Sequence, residues 1–62
     1  MNKKLIMLRQ NKNKSQATAA HEIGISQSML SSLESGQRKG SDVVKAKVAD
    51  YYGRSVQYIF FS

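Results

Sequence analysis

The chain has 62 residues, ten Lys and Arg against four Asp and Glu for a net charge of +6, and no Cys. That length sustains one domain, residues 1–62, and buries only about 60% of the unfolded surface; with disulfides and thiolate metal sites excluded, a partner subunit is the support left for a thin margin of stability. His21 and the scattered carboxylates Glu22, Glu34, Asp42 and Asp50 assemble no metal site and imply no cofactor, whereas the basic excess points to a polyanionic partner, usually nucleic acid.

In chain order, Met1-Asn2-Lys3-Lys4 imitates a basic leader, but Leu5-Ile6-Met7-Leu8 is stopped by Arg9, short of the roughly 7–15 apolar residues of a cleavable signal. No run nears the ~20 apolar residues needed to span a bilayer, so a cytoplasmic location is expected. Serines that can cap a first turn stand at 15, 26, 41 and 55, and Gly24, Gly36 and Gly53 close the apolar-periodic stretches that follow the first three or precede the last. This punctuation, with no Pro and no strict alternation, predicts an all-α domain of five short helices. The first spans Lys3 to Asn11 with Leu5 and Leu8 inward. The second, Gln16 to Ile23, buries Ala19, Ala20 and Ile23. The third, Gln27 to Ser35, buries Leu30 and Leu33, and a basic loop follows from Gly36 to Gly40. The fourth, Asp42 to Tyr52, turns Val44, Val48, Ala49 and Tyr52 inward, and Asp42 suits its positive end. The fifth is Val56 to Phe60.

The informative stretch is Gln16 to Ser35. Ala20 is small where two helices should approach, Gly24 stands four residues on, Ile25 plugs the angle, and Leu30 and Leu33 bury the second helix. A small residue, a Gly at plus four and apolar residues at plus ten and plus thirteen are the sequence form of a helix-turn-helix. Around it the chain resembles the Xre family, which includes phage repressors and Cro proteins. The matching residues are Leu8-Arg9, Ser15-Gln16, Ala20, Ile23-Gly24-Ile25-Ser26, Leu33-Glu34-Ser35-Gly36, Ala49, Gly53, Ser55 and Ile59-Phe60. The resemblance implies a compact, lambda-repressor-like fold whose third helix enters the major groove of operator DNA, in a bacterial or phage-infected cell.

It also implies roles. Gln16 would hold a phosphate and brace Gln27, and Gln27 would read a base edge through its amide. Arg9 and Glu34 fall at positions that form a structural ion pair between the first helix and the end of the third. On the third helix a 100° step turns Ser28, Ser31, Ser32 and Ser35 outward. Ser28, Ser31 and Ser32 join Gln27 as candidate base readers, with Met29 against a thymine methyl, and their short reach leaves room for readout of DNA shape. Ser35, Gln37, Arg38, Lys39, Lys12 and Lys14 are candidate phosphate contacts, Arg38 and Lys39 foremost. At the C-terminal end Ile59, Phe60 and Phe61 are consecutive and cannot all face inward, so a leftover apolar patch is expected to form a homodimer contact through Arg54, Val56, Tyr58, Ile59 and Phe61, bordered by Tyr51.

Three other readings compete. A protein-interaction module of the same fold, an antitoxin or regulator-binding protein with weak DNA binding, draws on the serine-rich helix face. A membrane-surface peptide would use the basic, apolar first helix, whose stripe lasts barely two turns. An enzyme would need His21, which has a Glu neighbour but faces outward with no nucleophile or orienting group beside it. No membrane partner, small-molecule ligand or enzymatic activity is expected.

Overall fold

The computed structural model describes residues 1–61. Its helices are α1 (Lys3–Asn11), α2 (Gln16–Ile23), α3 (Gln27–Ser35), α4 (Asp42–Tyr52) and α5 (Val56–Phe60), and no strand occurs among the described residues. These bounds coincide with those read from the punctuation, because the caps that set them are local. The hydroxyls of Ser15, Ser26, Ser41 and Ser55 each accept the N–H three residues on, which satisfies an otherwise orphan donor and is worth about 1 kcal/mol per helix. The start of α1 is capped by Asn2, whose side-chain oxygen accepts the Leu5 N–H at 3.0 Å.

All five helices feed one core: Leu5 from α1, Ala19, Ala20 and Ile23 from α2, Leu30 and Leu33 from α3, Val48 and Ala49 from α4, and Ile59 from α5. Leu5, Leu30, Leu33 and Val48 are its largest fully enclosed side chains, each contributing roughly 1.5–3 kcal/mol by leaving water. Leu8, Ile25, Val44, Tyr52 and Phe60 lie half-buried around it. Ile59 was expected at a subunit contact; at 3% exposure it belongs to the interior. The conflict among three consecutive apolar residues resolves by turning Ile59 in, Phe60 part-way and Phe61 out.

The α2–α3 connection follows from Gly24. It takes φ +93°, in the left-handed region, where a Cβ is strained and glycine is not. The reversal aims the N–H groups of both Gly24 and Ile25 at the Ala20 carbonyl, at 2.9 and 3.0 Å. Those bonds satisfy the end of α2, and α3 begins after only three intervening residues. Ala20, whose carbonyl takes both bonds, is itself buried.

Candidate nucleic-acid interface

With Leu30 and Leu33 locked into the core, the opposite face of α3 is committed to solvent. Gln27, Ser28, Ser31 and Ser35 are exposed on it, whereas Met29 and Ser32 are half-buried, Met29 packing against the core. Ser32, one residue before Leu33, lies at the flank of the buried stripe. Ser35 is also partly committed: its hydroxyl donates to the Ser32 carbonyl at 3.2 Å and accepts the Gln37 N–H at 3.4 Å, fastening the loop to the helix end. Beyond it Gln37, Arg38 and Lys39 are exposed, and the Arg38 N–H returns to the Ser32 carbonyl at 3.2 Å.

Behind α3 lies a polar network that joins three helices. Glu34 is a carboxylate in the core, 4% exposed. Arg9 of α1 meets it with a two-pronged grip, Nε to Oε2 at 2.8 Å and Nη2 to Oε1 at 3.2 Å, while Nη1 donates to the Lys14 carbonyl at 3.0 Å. The planar guanidinium suits such a fork, and this hydrogen bond raises the Arg9 pKa above its ordinary value. Gln16, at the first turn of α2, donates Nε2 to Glu34 Oε1 at 3.1 Å. Its amide therefore braces on Glu34, where a brace on Gln27 had been expected, and its second N–H remains for another acceptor. The Tyr52 hydroxyl is buried beside this network with no hydrogen-bond partner among the described residues. Burial, then the negative charge of Glu34, pushes its pKa up to about 12.

Lys12 and Lys14 are drawn into a second cluster. Lys14 Nζ stands 3.3 Å from Glu22 Oε2, and the Lys12 ammonium lies 4.9 Å from the centre of the Tyr51 ring. The Tyr51 hydroxyl donates to Glu22. That bond, more than Lys14, holds the Glu22 carboxyl below its usual range, while burial and Glu22 raise Tyr51 to about 12. At the α5 end Val56 is half-buried and Arg54 exposed. Tyr58 is 43% and Phe61 60% exposed, with Lys4 and Arg54 over the Tyr58 ring and Lys45 over Phe61.

Asn2 is the residue that sequence reasoning passed over. Besides capping α1, its N–H donates to the Glu34 carbonyl at 2.8 Å and its amide Nδ2 to the Ile59 carbonyl at 2.9 Å. One residue thus pins α1 and α5 through its side chain and the end of α3 through its backbone. A lone Asn ahead of an apolar period is a legible cap, but its two long-range bonds have no local signature. Among the described residues no group of three or more His, Cys, Asp or Glu side chains converges as a metal site, and no helix is long and apolar enough to cross a membrane.

A helical domain in which two short helices meet at a glycine-closed turn, the second with a polar outer face and a basic loop at its end, is a helix-turn-helix DNA-binding domain. The helix-turn-helix family model matches residues 5–59, and the chain belongs to that family, in its Cro/C1-type, Xre-like form. It is a family of DNA-binding regulators, not of enzymes. No curated protein and no solved structure matches the chain.

Proposed function

We propose that the protein is a sequence-specific transcriptional repressor that binds a near-palindromic operator as a homodimer. The observation that carries the reading is the division of α3: one side is locked in the core by Leu30 and Leu33, and the other offers Gln27, Ser28 and Ser31 to solvent. A helix so mounted fits the major groove. Gln27 is the long reader, able to pair bidentately with adenine. Ser28 and Ser31 add short contacts, Met29 and Ser32 reach only their edges, and DNA shape supplies the remainder. Gln16 offers its second N–H to a phosphate, and Gln37, Arg38 and Lys39 hold the backbone beyond α3 without reading sequence. Lys12 and Lys14, held by Tyr51 and Glu22, contribute less.

Size supports the dimer. The backbone spans 24 × 20 × 20 Å and carries one recognition helix, whereas half-sites on one face of B-DNA lie about 34 Å apart. Reading both requires two copies. The exposed rings of Tyr58 and Phe61, with Arg54 and Val56 beside them, supply the apolar surface for that contact. Occupying an operator would block polymerase, in a bacterial or phage-infected cytoplasm.

Gel shifts at several salt concentrations test the assignment. Gln27→Ala should lose about 1–3 kcal/mol on the preferred site and relax one base position, while Lys39→Ala should weaken all sequences alike. Equal losses on every sequence for both variants would contradict it. The short serine face also favours a second reading, an interaction module for another regulator or a toxin; weak, sequence-blind binding by the wild type would select that reading.

A further inference from the structure

A groove of about 380 Å³ lies between the first turn of α1, the loop after α3 and the end of α5. Lys3, Lys4, Arg38 and Lys39 line it and none of the described lining residues is acidic, so four of the ten Lys and Arg side chains of the chain border one concavity. Its floor includes Leu33 and Ile59, both buried. Like charges gathered over a low-dielectric floor concentrate positive potential and call for a polyanion. The groove is also fixed in place relative to the recognition helix. The Asn2 N–H is bonded to the Glu34 carbonyl in the last turn of α3, and a Cβ built on Gly36 would come within 3.0 Å of the Met1 backbone nitrogen. Lys3, one residue past this clamp and exposed, is therefore held against the same helix end that carries Arg38 and Lys39.

We propose that this groove carries the DNA backbone past the end of α3, with Lys3 as a phosphate ligand beside Arg38 and Lys39. The proposal rests on the operator reading and extends the footprint onto α1, an element outside the helix-turn-helix. Lys4 leans over the Tyr58 ring and shapes the groove wall. Lys3 is the side chain at the rim whose ammonium meets the phosphate.

The test is the salt dependence of operator binding by the full chain, for wild type, Lys3→Ala and, as a control outside the groove, Lys47→Ala. Each phosphate contact contributes about 0.9 to the slope of log affinity against log salt. Lys3→Ala should lower that slope by about one contact, so that the advantage of wild type over the variant shrinks roughly threefold between 50 and 200 mM salt. The loss should be the same on specific and unrelated duplexes, and Lys47→Ala should keep the wild-type slope. Lys3→Glu should lose more than Lys3→Ala, and circular dichroism should show both folded, since Lys3 is exposed in a first turn. A Lys3→Ala slope equal to a steep wild-type slope would overturn the groove assignment and leave the operator reading standing. A shift in the sedimentation of the free protein with an unchanged slope would make the groove a subunit contact and overturn the proposal equally. Absence of salt-dependent binding in the wild type would instead defeat the operator reading on which the proposal rests.

Discussion

Glu34 is a buried charge whose value depends on its neighbours. Its two oxygens take three N–H groups, two from Arg9 and one from Gln16. Removing it leaves Arg9 facing a vacated interior, and breaking one side of a buried pair costs about 3–5 kcal/mol. With Arg9 partly open to solvent, Glu34→Ala should fall near the lower end, measured as a lower urea midpoint; a midpoint equal to wild type would reject the network as a structural brace. The ion pair was legible through the family resemblance. The third partner was not, because nothing in the local sequence tells Gln16 whether to turn its amide toward Glu34 or toward Gln27. The tyrosines make a second residue-scale prediction. Tyr51 and Tyr52 titrate near 12 in the fold and near 10 in the unfolded chain. The folded state thus resists their ionisation; that penalty is absent below pH 10, and stability falls as pH rises from 10 through 12. Tyr52→Phe, which also removes an unpartnered buried hydroxyl, should flatten that loss and leave stability at pH 7 equal or higher. An unchanged alkaline decline of the urea midpoint would contradict it.

At the scale of elements, the sequence told most. Serine caps at the starts of α2 to α5 and left-handed glycines at the ends of α2, α3 and α4 act within three or four residues, so those bounds could be read without knowing how the helices pack. What could not be read depends on tertiary placement: the inward turn of Ile59, the half-burial of Met29 and Ser32, and the hold of Glu22 and Tyr51 on Lys12 and Lys14. Gly24 is where the local and the tertiary meet. A Cβ there would touch nothing within 4 Å, yet φ is +93°. Gly24→Ala should therefore cost about 1–2 kcal/mol through backbone strain alone, and Gly24→Asn less, since Asn tolerates this region better. Equal urea midpoints for Gly24→Ala and wild type would show that the turn relaxes out of the left-handed region.

At the scale of the whole molecule, a net charge of +6 on 62 residues has a spatial order. Arg9 is committed to Glu34, Lys12 and Lys14 are held by Tyr51 and Glu22, and Arg38 and Lys39 flank the end of the helix whose polar face is exposed. The composition points to an anionic partner; the fold distinguishes cations that brace the protein from cations left exposed. Whether α3 reads base edges is decided by selecting bound duplexes from a random DNA pool with the wild-type chain. Base reading by α3 should enrich one motif with two related half-sites about 34 Å apart centre to centre. Recovery of bound DNA with no enriched sequence, at a salt concentration where binding persists, would contradict it.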